Sequence, residues 1–339
     1  EELQQQVAEE LERQVTEILC WPRALPSGSE LSRPEHQKIE GLLDDADVDV
    51  IVLLGEGGSG KSALMATLGR SAQASGWRVV GMRLDRLPKY VENPEALREY
   101  LCLSVPFTDA VASLAQKERV LVLIDQLDAL CDMMAAPTKR LSLVLNTVKE
   151  LARISGVKVV LAARPFEYHY SVQLLGAKLK DIQLSLPKWE DVRPHIEAAG
   201  VNPETLSSEL KEELTRPQVL NLFLARIQSG DVAENLTTYF AMRTTLWESE
   251  GVNAPNCSRL RQFLFDLVQY LANEEVLNRP LAQLDDWVKE VLTLKSAGWL
   301  MQTGTSSEWI GFRHQSLFDY VYVRWLIAES QDVAQTIIQ

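Results

Sequence analysis

The sequence has few cysteines, and they are scattered. Cys20, Cys102, Cys131 and Cys257 lie far apart. No two have metal-ligand spacing, and nothing in their placement makes a disulfide framework. They are expected to be reduced core residues of a cytoplasmic protein. No apolar run is long enough to span a bilayer. The acidic, polar N-terminus is unlike a secretory signal, so no membrane partner is expected. Basic residues are in the minority: 34 Lys and Arg stand against 47 Asp and Glu, a net charge of −13. That argues against a broad nucleic-acid or anionic-membrane surface, which needs clustered cations. It leaves nucleotide binding open, because a few amides and one or two bases suffice for that. No internal repeat and no low-complexity tract is found. The first residue is Glu1, inside a helix-like pattern and without an initiating Met. A fragment of a longer protein is therefore expected.

What is present starts with length and apolar content. A chain of 339 residues, 46% of them apolar, can build two or three domains with a sizeable core. Its organising stretch is Gly55-Glu56-Gly57-Gly58-Ser59-Gly60-Lys61-Ser62. An apolar run, Val48 to Leu54, precedes it, and a helical pattern opening at Ala63 follows it. Strand, glycine-rich loop and helix with G-x-x-x-x-G-K-[ST] spacing make a phosphate-binding P-loop. Glycines let consecutive backbone N–H groups turn inward on an anion. The helix start adds its positive dipole end. Lys61 is placed for β- and γ-phosphates, and the Ser62 hydroxyl for Mg²⁺. The cofactors this predicts are ATP or ADP with Mg²⁺, and the pocket is expected to run from Gly55 through Ala63.

Around the P-loop the chain alternates strands with helices. Leu3, Val7, Leu11, Val15 and Leu19 make one apolar stripe on an N-terminal helix. That helix is either a linker from an upstream domain or an ordinary helix packed on the core. A loop follows, and Ser32-Arg33-Pro34-Glu35 opens a short helix to about Leu43. Strands are expected at Val48–Leu54, Arg78–Leu84, Val120–Asp125, Val157–Ala162 and Asp181–Leu186. The unalternating aliphatic run Val120–Ile124 belongs in a parallel sheet buried on both faces. The expected fold is α/β, a P-loop core with a doubly wound parallel sheet, then a helical lid and a winged-helix domain. The expected boundaries are 1–46 for the linker helix and the way into the nucleotide pocket, 47–186 for the core, 187–248 for the lid and 249–339 for the winged helix. In the last, Leu284–Leu294 is expected as helix, Trp299 and Trp309 lie on a hairpin, and a helix from His314 closes the chain.

Three further side chains carry the chemistry. Asp125 ends an apolar strand, the position for a carboxylate that holds Mg²⁺ opposite Ser62. Asp128, three residues on, is either a general base for the attacking water or a helix N-cap. Arg164 ends the next strand. It is either a surface residue or a cation that senses the γ-phosphate and stabilises charge as it develops. His314, by composition alone, is structural. The aromatic set Trp299, Trp309, Phe312, Phe318, Tyr320, Tyr322 and Trp325 reads as core of the last domain rather than as a base-stacking platform.

These motifs together resemble the NACHT-type branch of the STAND nucleotide-binding switches, relatives of AAA+ ATPases. More narrowly the chain looks like bacterial antiphage (Avs-like, NLR-related) defence proteins, from about Arg33 to Leu326. Gly55–Ser62 resembles the Walker A loop, LVLIDQLDAL at Leu121–Leu130 the Walker B strand, and LAARP at Leu161–Pro165 the sensor-1 strand with its arginine. Arg216-Pro217 is similar to the lid motif whose proline packs on adenine. FRHQSLFDY at Phe312–Tyr320 resembles the winged-helix motif whose histidine, here His314, reaches the β-phosphate of ADP. Arg33 corresponds to the residue that begins the nucleotide pocket. The resemblance implies a slow regulatory ATPase that meets a foreign protein trigger, self-associates and activates an effector. It also implies effector and sensor domains elsewhere in the full-length protein. Ala129 departs from the family, where an acidic residue is common. If that residue is the base, hydrolysis is in doubt; if Asp128 is, slow hydrolysis survives. Two other classes are weighed. A nucleotide-switched transcription regulator binding DNA through its winged helix is disfavoured by acidic charge there. A small-molecule kinase leaves the lid and winged helix without a purpose.

Overall fold

Five strands form one parallel sheet in the computed structural model. It describes residues 2–130, 139–165, 178–230, 233, 236, 247, 258–274, 276–296, 299–303, 308–312 and 315–329. The strands are β1 (Val50–Leu54), β2 (Arg78–Arg83), β3 (Val120–Asp125), β4 (Val157–Ala163) and β5 (Leu179–Gln183). Their order across the sheet is β2-β3-β4-β1-β5. Every residue of β1 and β3 is buried, which is why neither alternates apolar with polar. The last strand starts and ends earlier than the expected Asp181–Leu186. Its pairing with β1, Val50 against Leu179 through Leu54 against Gln183, decides the bounds. This is an edge strand of mostly exposed polar residues, so its own sequence carries little strand signal.

Helices cover both faces. On one face, α2 (Pro34–Leu43) and α3 (Lys61–Ala74) bury Ile39, Leu64, Met65 and Leu68 against Ile51, Leu53, Leu121 and Leu123. On the other, α4 (Pro94–Tyr100), α5 (Phe107–Ala115) and α6 (Lys139–Leu151) pack against Val52, Val80, Val122 and Leu161. The N-terminal helix α1 (Glu2–Leu19) belongs to both faces. Its Val7 and Leu11 join the second core, its Val15 and Ile18 the first. It therefore wraps the β2 edge, which would otherwise present unpaired strand groups to another chain. Two glycines make the close approach possible. A Cβ on Gly81 of β2 would lie 2.7 Å from Ile18 Cδ1 and 3.2 Å from the Val15 backbone, and one on Gly69 of α3 would lie 2.5 Å from Leu19 Cδ2.

After β5 the first unit continues in helices: α7 (Trp189–Ala198), α8 (Ser208–Leu214) and α9 (Pro217–Gln228). The Ser207 hydroxyl caps α8 by accepting from Leu210 N–H at 3.2 Å. The chain divides into two compact units, Glu1–Thr237 and Thr238–Gln339. The second unit holds α10 (Ser258–Asn273), β6 (Arg279–Pro280), α11 (Val288–Ser296), β7 (Leu300–Thr303), β8 (Trp309–Phe312) and α12 (Gln315–Glu329). Helices followed by an antiparallel β7–β8 hairpin and a closing helix is a winged-helix order. The expected Leu284–Leu294 helix is split, with a short 3-10 turn at Asp285–Trp287 before α11. Trp247, Trp299 and Tyr320 form the buried aromatic centre, with ring centroids 5.8 and 5.9 Å apart. The rest of the expected aromatic core is less buried. Trp309 is exposed, and Phe312, Phe318, Tyr322 and Trp325 are half-buried, the last three stacking in succession along α12.

The cysteine expectation needs correction. Cys20 and Cys102 are exposed, not core. Both follow helix ends, after α1 and α4, where the chain turns out to solvent. Cys131 and Cys257 lie outside the described residues. No described helix is long and apolar enough to cross a membrane.

Candidate nucleotide-binding site

The parallel sheet brings the carboxyl ends of its strands to one edge, where ligands of open α/β folds bind. Along that edge stand Arg83, Asp125, Arg164, Gly55 and Leu184, contributed in turn by β2, β3, β4, β1 and β5. The loop Gly55–Gly60 leaves β1 and enters α3 at Lys61. Gly58 and Gly60 have φ of 77° and 97°, values that L side chains rarely adopt. Gly55 is required for another reason: a Cβ there would lie 2.7 Å from Ser59 Oγ. Among the described residues, no acceptor takes the amides of Gly58, Gly60, Lys61 or Ser62. No acidic residue sits in the first turn of α3, so its positive end is not offset. Lys61 is buried, with Nζ donating to Gly55 O at 2.6 Å and Glu56 O at 3.1 Å. Burial lowers its pKa, opposed by the charges of Asp128 and Asp125. Ser59 Oγ is buried without a partner. These donors form a cradle for an anion.

Facing them is an acidic wall. Asp125 is buried, and burial raises its pKa against the pull of Arg83 and the Ser62 hydroxyl. Arg83 is its register partner on β2. That guanidinium also donates to Asp85 at 3.1 Å and lies 4.7 Å over the Trp21 ring. Asp128 sits in the short 3-10 turn Leu127–Leu130. Its Oδ2 is 2.8 Å from Arg164 Nε, while its Oδ1 is buried without a partner. Ala129 beside it is exposed.

A third side is made by two helices that both begin Arg-Pro. Arg33 is the N-cap of α2 and makes no cap hydrogen bond, as expected of a side chain with no acceptor. Its guanidinium instead donates to Ser59 O and, at 2.8 Å, to Ser185 O. Glu35 accepts from Ser185 N–H at 3.3 Å. Burial lowers the Arg33 pKa, with Glu35 and Asp191 acting the other way. Arg216 is likewise an N-cap without a cap bond, with Pro217 at the first helical position of α9. A Cβ on Gly60 would lie 3.2 Å from Arg33 Nη2 and 3.7 Å from Pro217 Cγ. Gln218 N–H approaches Gly58 O at 3.4 Å.

Lys61, Ser62, Asp125, Asp128, Arg164, Arg33 and Pro217 thus gather around the loop Gly55–Gly60. Gly57 is exposed, and Ala63 is half-buried in the first turn of α3. His314 lies outside the described residues. Sequence reasoning missed Arg83, Gln126, Ser185 and Gln218. Arg83 was findable, since it ends an apolar strand as Asp125 does. The other three have no local signal.

The donor set fits a nucleoside polyphosphate. The hydroxyl of Ser62 and the carboxylate of Asp125 are hard oxygen ligands of the kind Mg²⁺ takes, one carboxylate with phosphate oxygens completing its shell. Among the described residues no group of three or more His, Cys, Asp or Glu converges as a cation site.

No protein-family model matches the chain, and no curated protein does. Among solved structures it is similar to Drosophila ORC bound to DNA, with 14% identity and a TM-score of 0.38 over 94% of this chain and 91% of that one. It is similar to the ORC1 protein of Aeropyrum pernix in complex with DNA, with 12% identity and a TM-score of 0.42 over 91% and 95%. It is also similar to a STAND protein with a tetratricopeptide repeat sensor from Pyrococcus horikoshii, with 13% identity and a TM-score of 0.46 over 91% of this chain and 47% of that one.

Proposed function

We propose that this chain is the nucleotide-binding part of a signalling ATPase that switches between ADP- and ATP-bound states and hydrolyses slowly. The observation that carries the reading is the convergence on one loop of two groups. One is the open amides with buried Lys61; the other is the start of α9, whose Pro217 and Gln218 touch Gly60 and Gly58. A helix seated on the phosphate loop has a reason to move when the phosphates change. Lys61 and the loop amides bind phosphate oxygens. Ser62 and Asp125 would hold Mg²⁺, which would supply positive charge to offset that of the phosphates. Asp128 takes a proton from the attacking water, and Arg164 meets the γ-phosphate.

The Asp128–Arg164 ion pair gives a reason for slow turnover. Paired, one carboxylate oxygen, Oδ2, is engaged and Arg164 is held off the phosphate. A γ-phosphate competes for Arg164 and frees Asp128. Each nucleotide shifts the open–closed equilibrium only by its difference in affinity for the two states, about 5.5 kcal/mol for a full reversal from 1:99 to 99:1. The resemblance to NACHT-type defence proteins supplies the rest of the proposal: a foreign, phage-derived protein as trigger, self-association of the open form, and an attached effector, in the cytoplasm. The test is the nucleotide that co-purifies with the full chain, followed by γ-phosphate release. Bound ADP and slow release support the switch. A nucleotide-free protein that binds neither ADP nor ATP removes it.

A further inference from the structure

Gln126 stands directly after Asp125, at the end of β3, with a φ of 66°. That is the left-handed region, strained for a residue with a Cβ and ordinarily left to glycine. Among the described residues only one other non-glycine, Cys102, has a positive φ. Cys102 lies just past the end of α4, where a left-handed residue commonly closes a helix. Gln126 has no helix end to close. Strain at a site persists only where the surroundings hold it in place, and the hydrogen bonds around Gln126 do that.

Its backbone N–H donates to Asp125 Oδ1 at 2.9 Å. Its side-chain Nε2 reaches across to α3 and donates to Ser62 Oγ at 3.3 Å. The Ser62 hydroxyl in turn lies within hydrogen-bonding reach of Asp125. The donor roles agree with this loop of contacts. A hydroxyl has one hydrogen and two lone pairs. With its hydrogen directed at Asp125, Ser62 Oγ takes the carboxamide N–H on one lone pair and keeps the other for a cation. Glycine at position 126 would adopt this backbone without strain but would leave the hydroxyl held by Asp125 alone.

We propose that Gln126 is a positioning residue for the cation: its carboxamide fixes the Ser62 hydroxyl, and with it the Ser62–Asp125 pair, in the arrangement that receives the divalent ion of a bound nucleotide. The proposal rests on the nucleotide reading above. Partners that orient metal ligands from the second layer change metal affinity by roughly 10- to 100-fold when removed.

The test compares ADP dissociation constants in Mg²⁺ and in EDTA, for the full chain and two variants. Gln126→Gly removes the carboxamide and relieves the backbone. Gln126→Asn tolerates the left-handed backbone but is one methylene too short to reach Ser62. Both are expected to lose roughly tenfold of the Mg²⁺-dependent gain in affinity. Affinity in EDTA should stay at the wild-type value, and the unfolding temperature without nucleotide should not fall. A Mg²⁺-dependent gain equal to wild type in both variants overturns the proposal. So does an equal loss in Mg²⁺ and in EDTA, which would make Gln126 a support of the phosphate loop instead. A wild-type chain that binds no nucleotide in either condition overturns the nucleotide reading itself, and that result needs no variant.

Discussion

The two walls of the site follow opposite rules. The phosphate wall gathers donors and leaves them open: four amides without a described acceptor, Lys61 drawn in among carbonyl oxygens, and Ser59 Oγ without a partner. The acidic wall gathers carboxylates with arginines near them: Arg83, paired to Asp85, is the register neighbour of Asp125, and Arg164 meets Asp128 through Oδ2, while Oδ1 of Asp128 has no partner. Buried charge without compensation is costly, so the difference has a consequence. The acidic wall is offset in part by the protein's own arginines. On the proposed nucleotide reading an anion completes the phosphate wall, and it should therefore stabilise the fold and not merely occupy it.

The largest expected effect tests that contrast directly. ADP with Mg²⁺ at about a thousand times its dissociation constant should add ~4 kcal/mol to the stability of the first unit. A thermal or denaturant melt with and without nucleotide measures it, and no shift would mean that the phosphate wall needs no ligand. Next, Lys61→Ala should weaken nucleotide binding by roughly a hundredfold, the upper range for a hydrogen bond to a charged group. Calorimetry that returned wild-type affinity would remove the donor wall from the site. On the other wall, Asp128→Ala should slow γ-phosphate release by about a hundredfold while ATP affinity changes little. Unchanged release would leave Asp128 as a structural partner of Arg164. The smallest effect separates two glycines of one motif. Gly60→Ala should cost about 1–2 kcal/mol, because its φ is 97° and the new Cβ meets Arg33 Nη2. Gly57→Ala, with nothing within 4 Å of a Cβ there, should stay within about 0.5 kcal/mol. Equal costs would show that the loop is held by its own sequence and not by its neighbours.

Much of the fold was readable locally. The strand–loop–helix unit at Val50–Ala74, the buried β3 and the stripe on α1 each have a period or a spacing that one stretch of chain carries alone. The exposed β5 was placed two residues late at its start and three late at its end because its bounds come from β1. The helix at Leu284 was read as continuous because its apolar spacing survives the 3-10 turn. In the site, Asp125 and Arg164 were visible as charges that end apolar runs. Arg33 was placed at the pocket by resemblance, but its partners, Ser59 O and Ser185 O, come from segments 26 and 152 positions away, and no spacing encodes that.

The sequence by itself determined the phosphate loop, the strand-end charges and which face of each helix is apolar, since these depend on residues within a few positions of one another. Tertiary structure alone decided the rest. It set the strand order that puts β4 between β1 and β3, the wrapping of α1 around the β2 edge over Gly69 and Gly81, the meeting of two Arg-Pro helix starts on Gly60, and the Gln126 contact with Ser62. These are pairings between distant segments, chosen by how whole surfaces pack and by which buried polar groups must find partners. A local pattern fixes the face that a segment buries, but not the segment it meets.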